Sequence, residues 1–344
     1  MPPVAAPLTP MLRRAATEGC TAATKRQKSA LTLHPYDGGR TKEARFVLRN
    51  MGAIWEIDFY SRPILDEQEK KRWELLICES PLETRRSNES LFRFSKFCAA
   101  NEVNSIWLGN AIKEATASAP APPTKIRFFR RQMTNMITKA CNDLGIAASP
   151  SRRTVTLHRW LQERMQDFYP NQPGYQATAA ASASVRYETQ KPLPLPDALL
   201  GDRWAFVTLE AGAFDEMHEW DISFGEGFPL CSTSASASPI TPETAIPGFI
   251  VFSNRALALA GWMSGLELAF LKVDGNPPGK LILETGASES WILANLPDRQ
   301  TQEEALKFER GKQNAETLHF IAVQSSPQSE SFAGFWLLQE LNLP

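Results

Sequence analysis

KIRFFRRQMTNMITKACNDLGIAASPSRRTVTLHRWLQERMQDF, residues 125–168, decides how this chain folds and where its charge goes. In its first half Ile126, Phe129, Met133, Met136, Ile137, Ala140 and Leu144 recur every three or four residues, the spacing of one helix face. The spacing predicts a helix over 126–144, ended by Gly145. Arg127, Arg131, Thr134, Thr138 and Asn142 would line its polar side, with Phe128 exposed beside Arg131 and Asn135. A second helix is predicted over 152–168, capped by Ser151, with Leu157, Trp160, Leu161 and Met165 inward and Pro170, Pro173 and Gly174 beyond its end. Arg152 and Arg153 then fall in a first turn, where an exposed cation costs about 0.3–1 kcal/mol. Two arginines at the positive end of a helix require an anion nearby.

The charge map sharpens this requirement. The 344 residues carry a net charge of -1, yet residues 125–164 hold 9 basic and 2 acidic side chains while residues 165–344 hold 10 and 22. A +7 segment therefore faces a -12 second half. Two readings fit. Arginines for phosphate, with aromatic and guanidinium planes for unpaired bases, make an RNA surface. Alternatively the basic segment docks on the acidic half. Under the first reading the candidate RNA-binding residues here are Arg127, Phe128, Arg130, Arg131, Arg152 and Arg153, the last two beside free backbone N–H groups.

Outside this segment, IWEIDFY and RWELLICE read as two strands joined by the polar LDEQEKK. The sequence predicts an α/β or α+β protein of two domains, each a mixed sheet with packed helices. Residues 51–176 form the first and 197–344 the second, joined by an Ala/Ser/Pro-rich linker over 177–196. In the second domain RWAFVTL, GKLILET, SWILANL, LHFIAVQ and FAGFWLLQEL read as strands, and TQEEALKFERGKQ as an amphipathic helix. Residues 1–50 are basic, rich in Ala, Thr and Pro and poor in acids, a composition shared by organellar transit peptides and disordered tails. The apolar run over 256–273 is broken by Glu267 and Lys272, so no membrane span is predicted. Five widely spaced cysteines predict free thiols in a reducing compartment.

Catalytic motifs are scarce. The sequence has no nucleotide P-loop, no dinucleotide fingerprint and no Cys-x-x-Cys pair, and Ser264 sits at the wrong offset for a nucleophile elbow. Neither a cofactor nor a metal is predicted. Glu56, Asp58 and Glu74 on the first two strands, with Asp274 and Glu284 further on, carry the one enzymatic alternative, a metal-dependent nuclease-like site. Beside SRP and KKRW an ion-paired surface is the simpler account.

Several long blocks, in order, carry a resemblance. WEIDFYSRPILDEQEKKRWELLICES, the stretch from KIRFFRRQ to NQPGY, DRWAFVTL, IPGFIVFSNRALALAGWMSGLE and GFWLL together resemble the Tab/Atab family of RNA-binding translation factors of chloroplasts and cyanobacteria. The resemblance implies a non-enzymatic protein of the chloroplast stroma that binds the A/U-rich 5′ leader of photosystem I reaction-centre mRNA. Its partners would be single-stranded mRNA and the translation-initiation machinery, and its role photosystem biogenesis. It also implies that the tripeptide Trp336, Leu337 and Leu338 is associated with RNA binding, whereas its residues alone read equally as a buried strand. A scaffold without direct RNA contact is the remaining alternative.

Overall fold

The computed structural model describes residues 52–177, 191–230, 240–276 and 279–341. The predicted tail or transit peptide, most of the predicted linker, and Cys20 and Cys231 lie outside them. Cys78, Cys98 and Cys141 are buried free thiols. Among the described residues no helix is long and apolar enough to cross a membrane.

The first unit is built on β1 (Ala53–Leu65), β2 (Lys71–Ser80) and β3 (Arg93–Cys98), an antiparallel meander. Helix α1 (Ser105–Ser118), capped by the Asn104 side chain, carries the chain across to β4 (Pro123–Phe128), parallel to β1. Helix α2 (Thr134–Asn142) leads to β5 (Ala147–Pro150), parallel to β4, and the strand order is β3-β2-β1-β4-β5.

Period-two alternation sorts this sheet into two unlike faces. Trp55, Ile57 and Phe59 of β1, Leu75 and Ile77 of β2, and Ile126 and Phe128 of β4 form one core with α1 and α2. The residues between them point the other way and include Glu56, Asp58, Glu74 and Arg127, each 1% exposed or less. Helix α3 (Val155–Glu163) covers much of this polar face.

The 126–144 helix is thus corrected. Residues 126–128 are strand, and the helix begins at Thr134. Ile126 and Phe129 fit a helical period by coincidence; β4 lies between two strands with both faces covered, so its sequence lacks the alternation of a solvent-facing strand. Phe128, expected on an exposed side, is in the core. The second helix also starts later. Arg152 and Arg153 precede it, Thr154 is its cap residue, and residues 164–168 form one π-helical turn at its end.

The second unit holds two sheets rather than one. Strands β6 (Leu193–Pro194), β7 (Arg203–Glu210), β8 (Ile222–Glu226) and β9 (Ala245–Phe252) are followed by helix α4 (Ala256–Ser264). Then come β10 (Leu268–Asp274), β11 (Gly279–Thr285), β12 (Glu289–Leu296), helix α5 (Arg299–Asn314), β13 (Leu318–Gln324) and β14 (Phe332–Gln339). One sheet runs β7-β9-β13-β14-β8 and the other β10-β11-β12-β6. Strand β6 lies within the predicted linker, so the last residues of that stretch belong to a sheet.

Strand β14 is buried on both faces. Trp336 and Leu338 join α4, α5 and the four-stranded sheet in one core, and Leu337 packs with Phe320 and Phe335 in the core opposite. Gly334 is obligatory here, because a Cβ would meet the Trp336 ring at 2.4 Å. Of the two roles open to the tripeptide, the structure shows the buried strand. Leu337→Ala and Leu338→Ala should each lower the free energy of unfolding by about 2–5 kcal/mol in urea titrations without RNA.

Candidate functional site

The polar face of the first sheet meets the second unit along a seam of buried ion pairs. Arg127, on β4, donates from Nη2 to Glu226 at 2.9 Å and from Nε to Glu267 at 2.6 Å. Arg153 donates from Nε to the other oxygen of Glu226 at 2.8 Å and from Nη1 to the Leu337 carbonyl at 2.9 Å. Arg152 binds Glu284 at 2.8 Å, and its backbone N–H donates to the Gly286 carbonyl at 3.1 Å. Lys125 pairs with Glu267 and Lys272 with Glu284, while Arg159 donates to the Pro229 carbonyl and to Gln339. Apart from Lys272 with Glu284, both in the second unit, these pairings span gaps of 70 to 184 residues.

A second network lies within the first unit. Asp58 accepts from Arg62 and Arg130, and Glu74 from Arg62, Arg164 and Tyr169. The Arg130 guanidinium also lies 3.9 Å over the Tyr60 ring. Of the carboxylates weighed above as a nuclease-like cluster, Asp58, Glu74 and Glu284 are held by guanidinium groups, Glu56 accepts from the Leu157 backbone N–H, and Asp274 accepts from Asn276. Among the described residues no group of three His, Cys, Asp or Glu could hold a metal ion.

The two arginines at the helix start now have their anions. Their guanidinium groups are drawn away to Glu284 and Glu226, and the free N–H of Leu157 in the first turn of α3 donates to Glu56 at 2.7 Å. A carboxylate, not a cation, faces the positive helix end.

Burial raises the Glu226 carboxyl, but the Arg127 and Arg153 guanidiniums outweigh it and hold it at about 2. Glu56 is the opposite case. Burial dominates and pushes it up to about 7, against the Leu157 N–H, Ser80, Arg127 and Arg153. His158 is held down at about 4 by burial and by Arg159.

Among the residues expected to form an RNA surface, Arg127, Phe128, Arg130, Arg152 and Arg153 are buried, as are Trp336, Leu337 and Leu338. Arg131 is exposed. It precedes the outer side of α2, where Thr134, Asn135, Thr138, Lys139, Asn142 and Asp143 line a shallow polar depression. The polar helix side read from the sequence is thus present from Arg131 onward, and absent at 127 and 128. Sequence reasoning missed Glu226, Glu267 and Arg159; the signal that could have found them was the charge imbalance between the halves.

Two family models match the chain. The model described as "RNA-binding protein Tab2/Atab2 N terminal" covers residues 54–164, and that described as "RNA-binding protein Tab2/Atab2, C-terminal domain" covers 182–339. The "Protein TAB2 homolog, chloroplastic" of Arabidopsis thaliana is 39% identical over 84% of this chain and 75% of its own length. Its namesake from Zea mays is 37% identical over 84% and 72%. The chain belongs to the Tab2/Atab2 family.

Removing one member of the seam leaves the others buried without compensation. Glu226→Gln should cost about 3–5 kcal/mol in equilibrium unfolding. The folded chain keeps on Glu56 a proton that the unfolded chain releases near 4.5, so this group's contribution to stability falls as pH rises from about 4.5 to 7. His158 acts in the opposite sense between about 4 and 6.5. Unfolding measured at pH 5 and pH 8 should therefore show Glu56→Gln gaining on the wild type by about 3 kcal/mol.

Proposed function

We propose that this member of the Tab2/Atab2 family binds single-stranded RNA in the chloroplast, without chemistry on the RNA, and promotes translation initiation. The RNA would be the A/U-rich 5′ leader of a photosystem mRNA, the compartment the stroma, and the wider partner the initiation machinery. The observation that carries the reading is the match of both units, over most of the described fold, to family models whose description is RNA-binding. The relatives described as chloroplastic support the compartment.

Within this reading Arg127, Arg152 and Arg153, the last bonded to the Leu337 carbonyl, hold the two units in one fixed arrangement, while Phe128 and Arg130 belong to the interior of the first unit and Trp336 and Leu338 to that of the second. What faces outward is Arg131 followed by amides, hydroxyls and Lys139 along α2. Such a row supplies a phosphate contact and donors and acceptors for unstacked base edges. Lys139 shares its charge with Asp143 at 3.1 Å, an exposed pair weak enough to yield to phosphate.

RNA affinity should be measured against salt for the wild type and for Arg131→Ala with Lys139→Ala. The double variant should bind more weakly, with a log–log salt slope shallower by about 1.4. A folded double variant with unchanged affinity and slope would remove this surface from the proposal. Labelled RNA incubated with magnesium or manganese should be recovered intact.

A further inference from the structure

On the opposite edge of the first sheet, β3 is the outermost strand. There the guanidinium of Arg72 lies 4.2 Å over the ring of Phe97. Phe97 stacks on Phe168 with centroids 6.5 Å apart and planes at 20°, and Arg164 caps the column 3.8 Å over Phe168. Phe168 is delivered by the π-helical turn Arg164–Phe168, a widened turn of a kind that recurs at functional sites.

The two ends of this column differ. Arg164 is buried, and its charge is taken by Glu74. Arg72 is only half-buried, and among the described residues no carboxylate lies within ion-pairing distance of it, nor of Lys70 or Lys71, both exposed, which precede it. Elsewhere in this sheet the arginines resting on aromatic rings also have a carboxylate: Arg93 lies 5.3 Å over Trp160 and pairs with Glu163, and Arg130 lies over Tyr60 and pairs with Asp58. Three consecutive cations, none within ion-pairing distance of the Asp66, Glu67 and Glu69 carboxylates that precede them and the last resting on an aromatic ring, present charge and a planar face to the outside. A cation resting on Phe97 merely to secure the sheet edge would not require Lys70 and Lys71 beside it.

The remainder of the edge continues the same chemistry. Arg93, Ser95 and Phe97 share one face of β3, Ser95 is exposed, and Arg93 retains 26% side-chain exposure. From Phe97 to Arg93 is four residues, or about 13 Å of strand.

We propose that the β3 edge is a track for single-stranded RNA. An unpaired base stacks on the outer plane of the Arg72 guanidinium, the N–H groups of Arg72 with Lys70 and Lys71 hold the adjoining phosphates, and Arg93 over Trp160 receives the strand further along. Alternating aromatic and guanidinium planes with unpaired cations is the chemistry of sequence-tolerant single-strand binding. The inference rests on the RNA-binding reading of the whole chain and adds a site to it.

The test uses the full chain and a fluorescein-labelled, unstructured A/U single-stranded RNA, with thermal unfolding as a check on folding. Arg72→Ala should weaken binding about tenfold, and Lys70→Ala with Lys71→Ala should flatten the salt slope by about 1.4. Arg72→Lys should keep the wild-type slope yet lose affinity, because an ammonium supplies charge without a plane, and a merely structural role for Arg72 would not separate the two readouts. With 4-thiouridine RNA, crosslinks should fall on the peptides carrying residues 70–72 or 93–98. If the wild type binds RNA while folded Arg72→Ala binds equally well with crosslinks confined elsewhere, the track is wrong and the RNA-binding reading stands. If the wild type binds no such RNA, both fall.

Discussion

Glu226 takes one guanidinium on each of its oxygens, Arg127 from the centre of the first sheet and Arg153 from the approach to α3. The rest of the molecule is arranged around that contact. Moving three charges out of water is expensive, and their mutual attraction offsets the expense only where geometry is good and the remaining donors find acceptors. Here most do: Arg127 also reaches Glu267 and Arg153 reaches the Leu337 carbonyl, while the Nη2 of Arg153 is buried with no hydrogen-bond partner among the described residues. Such an arrangement tolerates little displacement, so it fixes the angle and register at which the two units meet. Apolar contacts reinforce it, since Val155 of α3 lies in the core of the second unit and Leu341 packs against cores of both units.

This use of charge reverses the expectation raised by composition. A +7 stretch suggests a surface for polyanions, yet most of its guanidinium groups are spent within the protein. Cations beyond ion-pairing distance of any described carboxylate occur outside it, as at Lys70 to Arg72, within residues 51–124, which hold 9 bases and 11 acids. Local net charge reports what the chain contains, whereas the field outside depends on which charges are already neutralised at short range.

Much of the fold was legible. The hairpin of β1 and β2, strands β7, β11, β12, β13 and β14 and helix α5 follow from period-two and period-3.6 patterns with their turn residues, whereas β6, β8 and β9 were not read as strands. The errors have specific causes. Ile126 and Phe129 matched a helical spacing within a strand whose two faces are both covered. Glu56 and Asp58 read as the wet side of an amphipathic strand, because alternation cannot distinguish a face turned to water from one turned to buried guanidinium groups. The carboxylate partners of Arg127 and Arg153 stand 73 to 140 residues away, beyond the reach of any local pattern. The candidate site was half visible: the polar residues of α2 were read correctly, while the aromatic column at β3 depends on a π-helical turn that no spacing rule announces.

The bond from Arg153 to the Leu337 carbonyl joins residues 184 apart. A chain made or threaded from its N-terminus completes the first unit long before that acceptor exists, roughly 10 to 40 s earlier at common synthesis rates. Early in that interval, until Glu226, Glu267 and Glu284 are made, Arg127, Arg152 and Arg153 lack the carboxylates that will later neutralise them, and the polar side of the sheet is open to whatever anions the surroundings hold. The seam therefore sets an order of events as well as a shape, with the first unit a transient polycation that closes only when the last strand arrives.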